Sequence, residues 1–118
     1  MFGRKESSDQ PIAIDVVELK KRLDQSSDDL VVLDCREPDE RMIAKIEPSI
    51  FIPMRETPDR IGELDDFREQ NIVVYCHGGV RSLKVTQFLR QQGFAKAQNL
   101  TGGIDAWSRQ IDPRVPRY

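Results

Sequence analysis

A chain of 118 residues, 38% hydrophobic and 32% charged, fits one compact soluble domain and leaves little room for a second. Its 18 Lys and Arg against 20 Asp and Glu leave a formal net charge of −2 without a dense basic run, which argues against nucleic acid as a partner. The opening "MFGRKESSDQP" lacks the apolar core of a signal peptide, and no stretch could span a bilayer, so no membrane partner and a cytoplasmic location are expected.

Residues 1–10 read as a flexible polar segment ahead of a folded domain over 11–118. "PIAID" is a short strand, and Asp15 is placed to cap the helix "VVELKKRLDQ", where Val16, Leu19 and Leu23 recur at helical spacing. "DDLVVLDC" is a turn and then a continuously apolar, β-branched run, the pattern of a strand covered on both faces. "EPDERMIAKI" has a proline at a helix-opening position with acidic residues beside it, and predicts a helix. "SIFIPM" reads as a third buried strand stopped by Pro53.

"TPDRIGELDDFREQ" carries Gly62 inside a helical pattern, which predicts a broken or irregular helix. "NIVVYC" is the fourth strand. "VRSLKVTQFLRQQGF" is the clearest helix, with Leu83, Val85, Phe88 and Leu89 on its apolar face and Gly93 at the C-cap. "AQNL" is a short last strand, and "GGIDAWSRQI" a short last helix with Ile104, Trp107 and Ile111 facing inward. Strands alternating with helices define an α/β fold: a mainly parallel sheet with helices on both faces. In such sheets, sites gather at the carboxyl ends of the strands. Cys76 occupies that position.

"CHGGVRS", Cys76 to Ser82, therefore joins a strand end to a helix start. A thiol at its ordinary pKa is mostly protonated and is a poor nucleophile in that form. The helix N-terminus aims positive charge and free N–H groups at the loop. Gly78 and Gly79 let consecutive amides turn toward one centre, and Arg81 and His77 add cationic character. The loop suits a bare thiolate or a cysteine carrying an anionic persulfide, and a double displacement follows from it. A cysteine-dependent phosphatase needs similar equipment, but four residues separate Cys76 from Arg81, one fewer than phosphatase loops of this type have, and the smaller ring suits a terminal sulfur. Cys35 and Cys76 form no disulfide framework and, without further Cys and His ligands, no metal site; no cofactor is called for. Cys35 reads as a small buried side chain, with a resolving or redox partnership to Cys76 as the alternative.

With these residues in view, the chain resembles a single-domain rhodanese from about Ile12 to its end, through "LDCREPDE", "YCHGGVRS" before a helix ending "QGF", and "NLTGGIDAW". The tail "IDPRVPRY" is similar to rhodanese domains fused behind ubiquitin-like-protein activating enzymes, which pass persulfide sulfur to a small carrier protein. The resemblance implies a five-stranded parallel sheet and a persulfide on Cys76. It implies a sulfane-sulfur donor such as thiosulfate, with a thiol, cyanide or a small sulfur-carrier protein as acceptor. Carried over, Cys76 is the nucleophile and His77, Gly78, Gly79, Val80, Arg81 and Ser82 form the sulfur cradle, Arg81 acting electrostatically or by fixing the loop. Asp34 and Arg36 match a supporting pair at the rim, and Glu40 matches an acidic residue that pairs with that arginine. Where the family commonly reads "GHI-x-GA-x-N-I-P", this chain has "AKIEPSIFIP", with Lys45 in place of histidine. A regulatory or carrier-specific module on the same fold is the alternative function. Arg114 and Arg117 read as solvated.

Overall fold

The computed structural model describes residues 10–25 and 29–118; most of the polar segment expected over 1–10 and part of the turn before the second strand lie outside them. The chain runs β1 (Ala13–Ile14), α1 (Val16–Asp24), β2 (Leu30–Asp34), α2 (Pro38–Ile43), β3 (Ile50–Phe51), α3 (Thr57–Arg60), β4 (Asn71–Tyr75), α4 (Val80–Gln91), β5 (Gln98–Leu100) and α5 (Gly103–Gln110). All strand pairs are parallel and form one five-stranded sheet in the order β1-β5-β4-β2-β3. This is the α/β architecture expected from the alternating pattern. Among the described residues, no helix is long and apolar enough to cross a membrane.

Strand alternation builds two cores on β4. Val73 and Tyr75 face Val16, Leu19, Ile104 and Trp107 from α1 and α5, whereas Ile72, Val74 and Cys76 face Val85, Leu89 and Phe94. Leu33 and Cys35 of the neighbouring strand point to this second side. The two cysteines therefore lie on one face of the sheet, at the ends of strands that pair directly, with the Cys35 amide donating to the Tyr75 carbonyl at 3.1 Å.

The termini follow local chemistry. Asp15 accepts from the Glu18 amide at 2.8 Å and opens α1. Gly93, with φ at 98°, follows the end of α4, and the chain closes there through a Phe94 amide to Leu89 carbonyl bond of 3.0 Å. Around Gly62 the backbone is irregular: a single α turn at Thr57–Arg60 lies between 3-10 segments at Met54–Glu56 and Ile61–Phe67.

In two segments the structure departs from the sequence expectation. The helix read through "EPDERMIAKI" stops at Ile43, and residues 44–46 are not helical. The buried Arg36 guanidinium takes the Ala44 carbonyl at 2.6 Å, and the Tyr75 hydroxyl accepts from the Ile46 amide at 3.1 Å, which pulls this segment into the core. The strand read over "SIFIPM" shrinks to Ile50–Phe51: the Ile52 amide still reaches the Asp34 carbonyl, but the Met54 amide, at the start of a 3-10 segment, turns to the Cys35 carbonyl at 2.9 Å and leaves the ladder's register.

Gly102 and Gly103 turn the chain from β5 into α5 with φ of 83° and 60°. A Cβ on Gly103 would meet the His77 carbonyl and, at 2.6 Å, the Cys76 carbonyl. Those carbonyls accept from the Asp105 and Ile104 amides at 3.1 and 3.0 Å, so the start of α5 clasps the loop after β4. Gly103→Ala is expected to lower stability by at least ~1 kcal/mol from left-handed strain alone, with more from overlap, measured by denaturant unfolding.

Candidate functional site

Cys76 leaves the central strand with only 1% of its surface exposed, and its Sγ faces into the loop that opens α4. The Gly79 amide donates to Sγ at 3.1 Å and the Ser82 amide at 3.4 Å. Gly79 adopts φ of 111°, a left-handed conformation that lets its N–H turn back toward the sulfur. Burial pushes the Cys76 thiol up, but the hydrogen bonds from the Ser82 hydroxyl and amide and the Gly79 and Gly78 amides outweigh it, and the net direction is down. The N-terminus of a twelve-residue helix adds its field in the same sense. Among the described residues, His77, Val80 and Arg81 make no hydrogen bond to Sγ. His77 instead lends its carbonyl to α5, and Val80 is 73% exposed.

Asn99 of β5 governs the Ser82 hydroxyl. Ser82 Oγ lies 3.3 Å from Sγ and donates to Asn99 Oδ1, while Asn99 Nδ2 donates to the Gly79 carbonyl at 3.2 Å. A hydroxyl carries one hydrogen. With Cys76 protonated, S–H gives to Ser82 and Ser82 gives to Asn99. With Cys76 ionised, the hydroxyl must turn to the sulfur and release the amide oxygen.

Arg81 turns its guanidinium to Glu40, in a two-pronged pair at 2.7 and 2.9 Å. This corrects the pairing expected for Glu40: its carboxylate holds Arg81, and Arg36 meets only the Glu40 main-chain carbonyl, at 3.4 Å. Glu40 also accepts from the Glu37 amide at 3.0 Å. Arg81 above all holds the Glu40 carboxyl down at about 2, with the Glu37 amide and Tyr118 hydroxyl helping against burial.

Asp34 and Arg36 lie wholly buried and bond side by side at 2.9 and 2.8 Å, with Arg41 completing the Asp34 carboxylate at 2.9 Å. The remaining Arg36 nitrogen donates to the Tyr118 hydroxyl at 2.9 Å, and that hydroxyl donates to Glu40 at 2.9 Å. Burial pushes the Tyr118 phenol up to about 12, so it stays protonated. Its ring meets the His77 ring edge-on at 4.5 Å. Cys35 and Cys76 are both free thiols. Burial, then the Cys76 and Asp34 charges, push the Cys35 thiol well above the ordinary range, which makes it an inert neighbour at neutral pH. Lys45 is half-exposed and pairs with Glu47 at 3.2 Å. Arg114 and Arg117 are exposed yet paired, with Asp112 and Asp105.

Sequence reasoning assigns no role to Asn99, Gly102, Gly103 or Tyr118. The first three stand in the quoted "NLTGGIDAW", whose paired glycines after a strand are the signal that a backbone approaches closely there. Tyr118 carries no local signal.

The rhodanese-like domain model matches residues 15–110, and the chain belongs to that family, the rhodanese-like single-domain sulfurtransferases. It is 35% identical over 102 residues to a sulfurtransferase of Allochromatium vinosum, covering 86% of this chain and 92% of that one. It is 33% identical over 103 residues to the maize adenylyltransferase and sulfurtransferase MOCS3-1, covering 83% of this chain but 22% of that protein. The crystal structure of a rhodanese-like domain protein from Staphylococcus aureus superposes with a TM-score of 0.77 at 30% identity, covering 92% of this chain and 99% of the other.

Ser82→Ala removes a donor to the ionised sulfur, and the Cys76 pKa should rise, read from thiolate absorbance across a pH titration. Glu40 contributes stability that is present above its ordinary 4.5 and is lost as pH falls toward about 2. Glu40→Gln should be less stable at neutral pH and show a shallower acid loss in that window, measured by unfolding at a series of pH values.

Proposed function

We propose that this protein moves sulfane sulfur from an anionic donor, thiosulfate or a persulfide, to a nucleophilic acceptor through a persulfide on Cys76. The observation that carries the reading is the pair of main-chain amides, Gly79 and Ser82, aimed at Sγ from the start of α4. With thiosulfate, the Cys76 thiolate attacks the outer sulfur, the donor S–S bond breaks, and sulfite leaves with the electron pair. The outer sulfur now carries the negative charge, and the same loop of amides and helix field is suited to hold it. In the second half, an acceptor thiolate or cyanide attacks that sulfur, the Cys76 S–S bond breaks, and its electron pair returns to Sγ.

Arg81 acts in this scheme by fixing the loop and by its field. Its guanidinium is occupied by Glu40, so it assists an arriving anion through its field without being its direct ligand. Asp34 and Arg36 support the rim on which Glu40 stands. Cys35, with its thiol pushed up, takes no covalent part at neutral pH.

A second reading, delivery to a protein acceptor in preference to small molecules, rests on the likeness of the tail "IDPRVPRY" to rhodanese domains fused behind ubiquitin-like-protein activating enzymes. It predicts rapid discharge of the persulfide to a protein acceptor and slow discharge to cyanide. For the main reading, intact-mass measurement after thiosulfate treatment should find one added sulfur on the wild type and none on Cys76→Ser. Equal labelling of both proteins would overturn it.

A further inference from the structure

We propose that Tyr118 is a specificity-determining residue at the mouth of the Cys76 loop, admitting slender acceptors and holding back broad ones. The word acceptor rests on the sulfur-transfer reading above; the gate itself rests on geometry. Cys76 is 1% exposed, so whatever reaches its sulfur must enter through the loop's opening. Tyr118 covers His77, the residue next to Cys76, with ring planes at 87° and centroids 4.5 Å apart.

The ring is held there from several sides. Its hydroxyl accepts from the wholly buried Arg36 and donates to Glu40, each at 2.9 Å. The preceding turns of the tail are tied to α5: the Ser108 hydroxyl donates to the Val115 carbonyl, and Arg117 pairs with Asp105 at 3.0 Å. Glu40 in turn holds Arg81 at 2.7 Å, so the same hydrogen-bond chain that seats the aromatic ring also fixes the cation of the Cys76 loop. A residue with these attachments cannot swing aside without breaking bonds to a buried guanidinium and a carboxylate.

The chemistry that fits such a mouth is a nucleophile on a thin stem. The acceptor atom must come within about 3–3.5 Å of the outer sulfur before its new bond forms and the Cys76 S–S bond breaks. Cyanide, a low-mass thiol and the extended end of a chain can make that approach beside Tyr118. A thiol set in a broad folded surface would strike the ring first.

The test uses the intact chain and reads access separately from sulfur transfer. Cys76 is alkylated with iodoacetamide and with a bulky maleimide whose nitrogen carries a rigid fused-ring aromatic group, and the modified peptide is mapped to exclude Cys35. Tyr118→Ala should speed the bulky reagent at least about tenfold and change iodoacetamide by less than about twofold, while Tyr118→Phe, which keeps the ring but loses its two hydroxyl bonds, should fall between wild type and Tyr118→Ala for the bulky reagent. The proposal is overturned if Tyr118→Ala leaves the ratio of the two rates unchanged, whether both rise together or neither moves. A parallel measurement discharges persulfidated protein to cyanide and to a folded protein thiol, with Tyr118→Ala expected to favour the protein thiol. If wild type never loads sulfur, the functional reading fails while the alkylation ratio still decides the gate; if it loads and neither ratio moves in Tyr118→Ala, the gate fails alone.

Discussion

Everything in the site depends on a few N–H groups turned toward one sulfur atom. An exposed thiolate is stabilised by water; Cys76, almost without solvent contact, has only the protein to do so. The amides of Gly79 and Ser82 supply that solvation, and they do so because the backbone at Gly79 enters a conformation that side chains with a Cβ rarely adopt. The loop is kept in that shape from outside as well. The first amides of α5 take the carbonyls of Cys76 and His77, and the Asn99 side chain takes the carbonyl of Gly79. The loop's N–H groups are thereby free to face inward while its C=O groups are satisfied elsewhere, which is what a buried anion requires.

The second constraint is electrostatic. Asp34, Arg36, Tyr118, Glu40 and Arg81 form a continuous chain of hydrogen bonds from the wholly buried end of β2 to the loop that opens α4. Its charges alternate, so burying Asp34 and Arg36 leaves neither without a partner, the condition under which such a pair is tolerated. One outcome is that Arg81 has a fixed position on the loop that opens α4. Another is that the rim, the loop and the tail share a single set of supports.

Much of this was readable in the amino-acid order, and the parts that were not have a common physical origin. The strand-and-helix alternation, the Asp15 cap, the Gly93 stop and the irregular stretch around Gly62 follow from local periodicity and local backbone chemistry. The early end of α2 and the short β3 depend instead on bonds from distant residues: Arg36 on Ala44 and Tyr75 on Ile46. The same division runs through the site. Cys76 and its glycine-rich loop are consecutive in sequence, so the constellation is visible before any folding is considered. Ser82 to Asn99 spans 17 positions, Glu40 to Arg81 spans 41, and Glu40 to Tyr118 spans 78, and no local pattern announces such pairs. The misassigned partner of Glu40 is a case of this kind: the resemblance suggested an arginine near it in sequence, whereas the fold brings a remote one closer.

The order of the strands has a further bearing on how the molecule tolerates its own motion. β1 and β3, the two edges, are each two residues long, while β4 is central and pairs with β2 through five positions. Short outer strands are the parts of a sheet that open most readily, exchanging their amide hydrogens while the interior stays closed. The Cys76 sulfur leaves from the strand most remote from either margin. Brief opening at the periphery can thus come and go without disturbing the amides gathered around that sulfur.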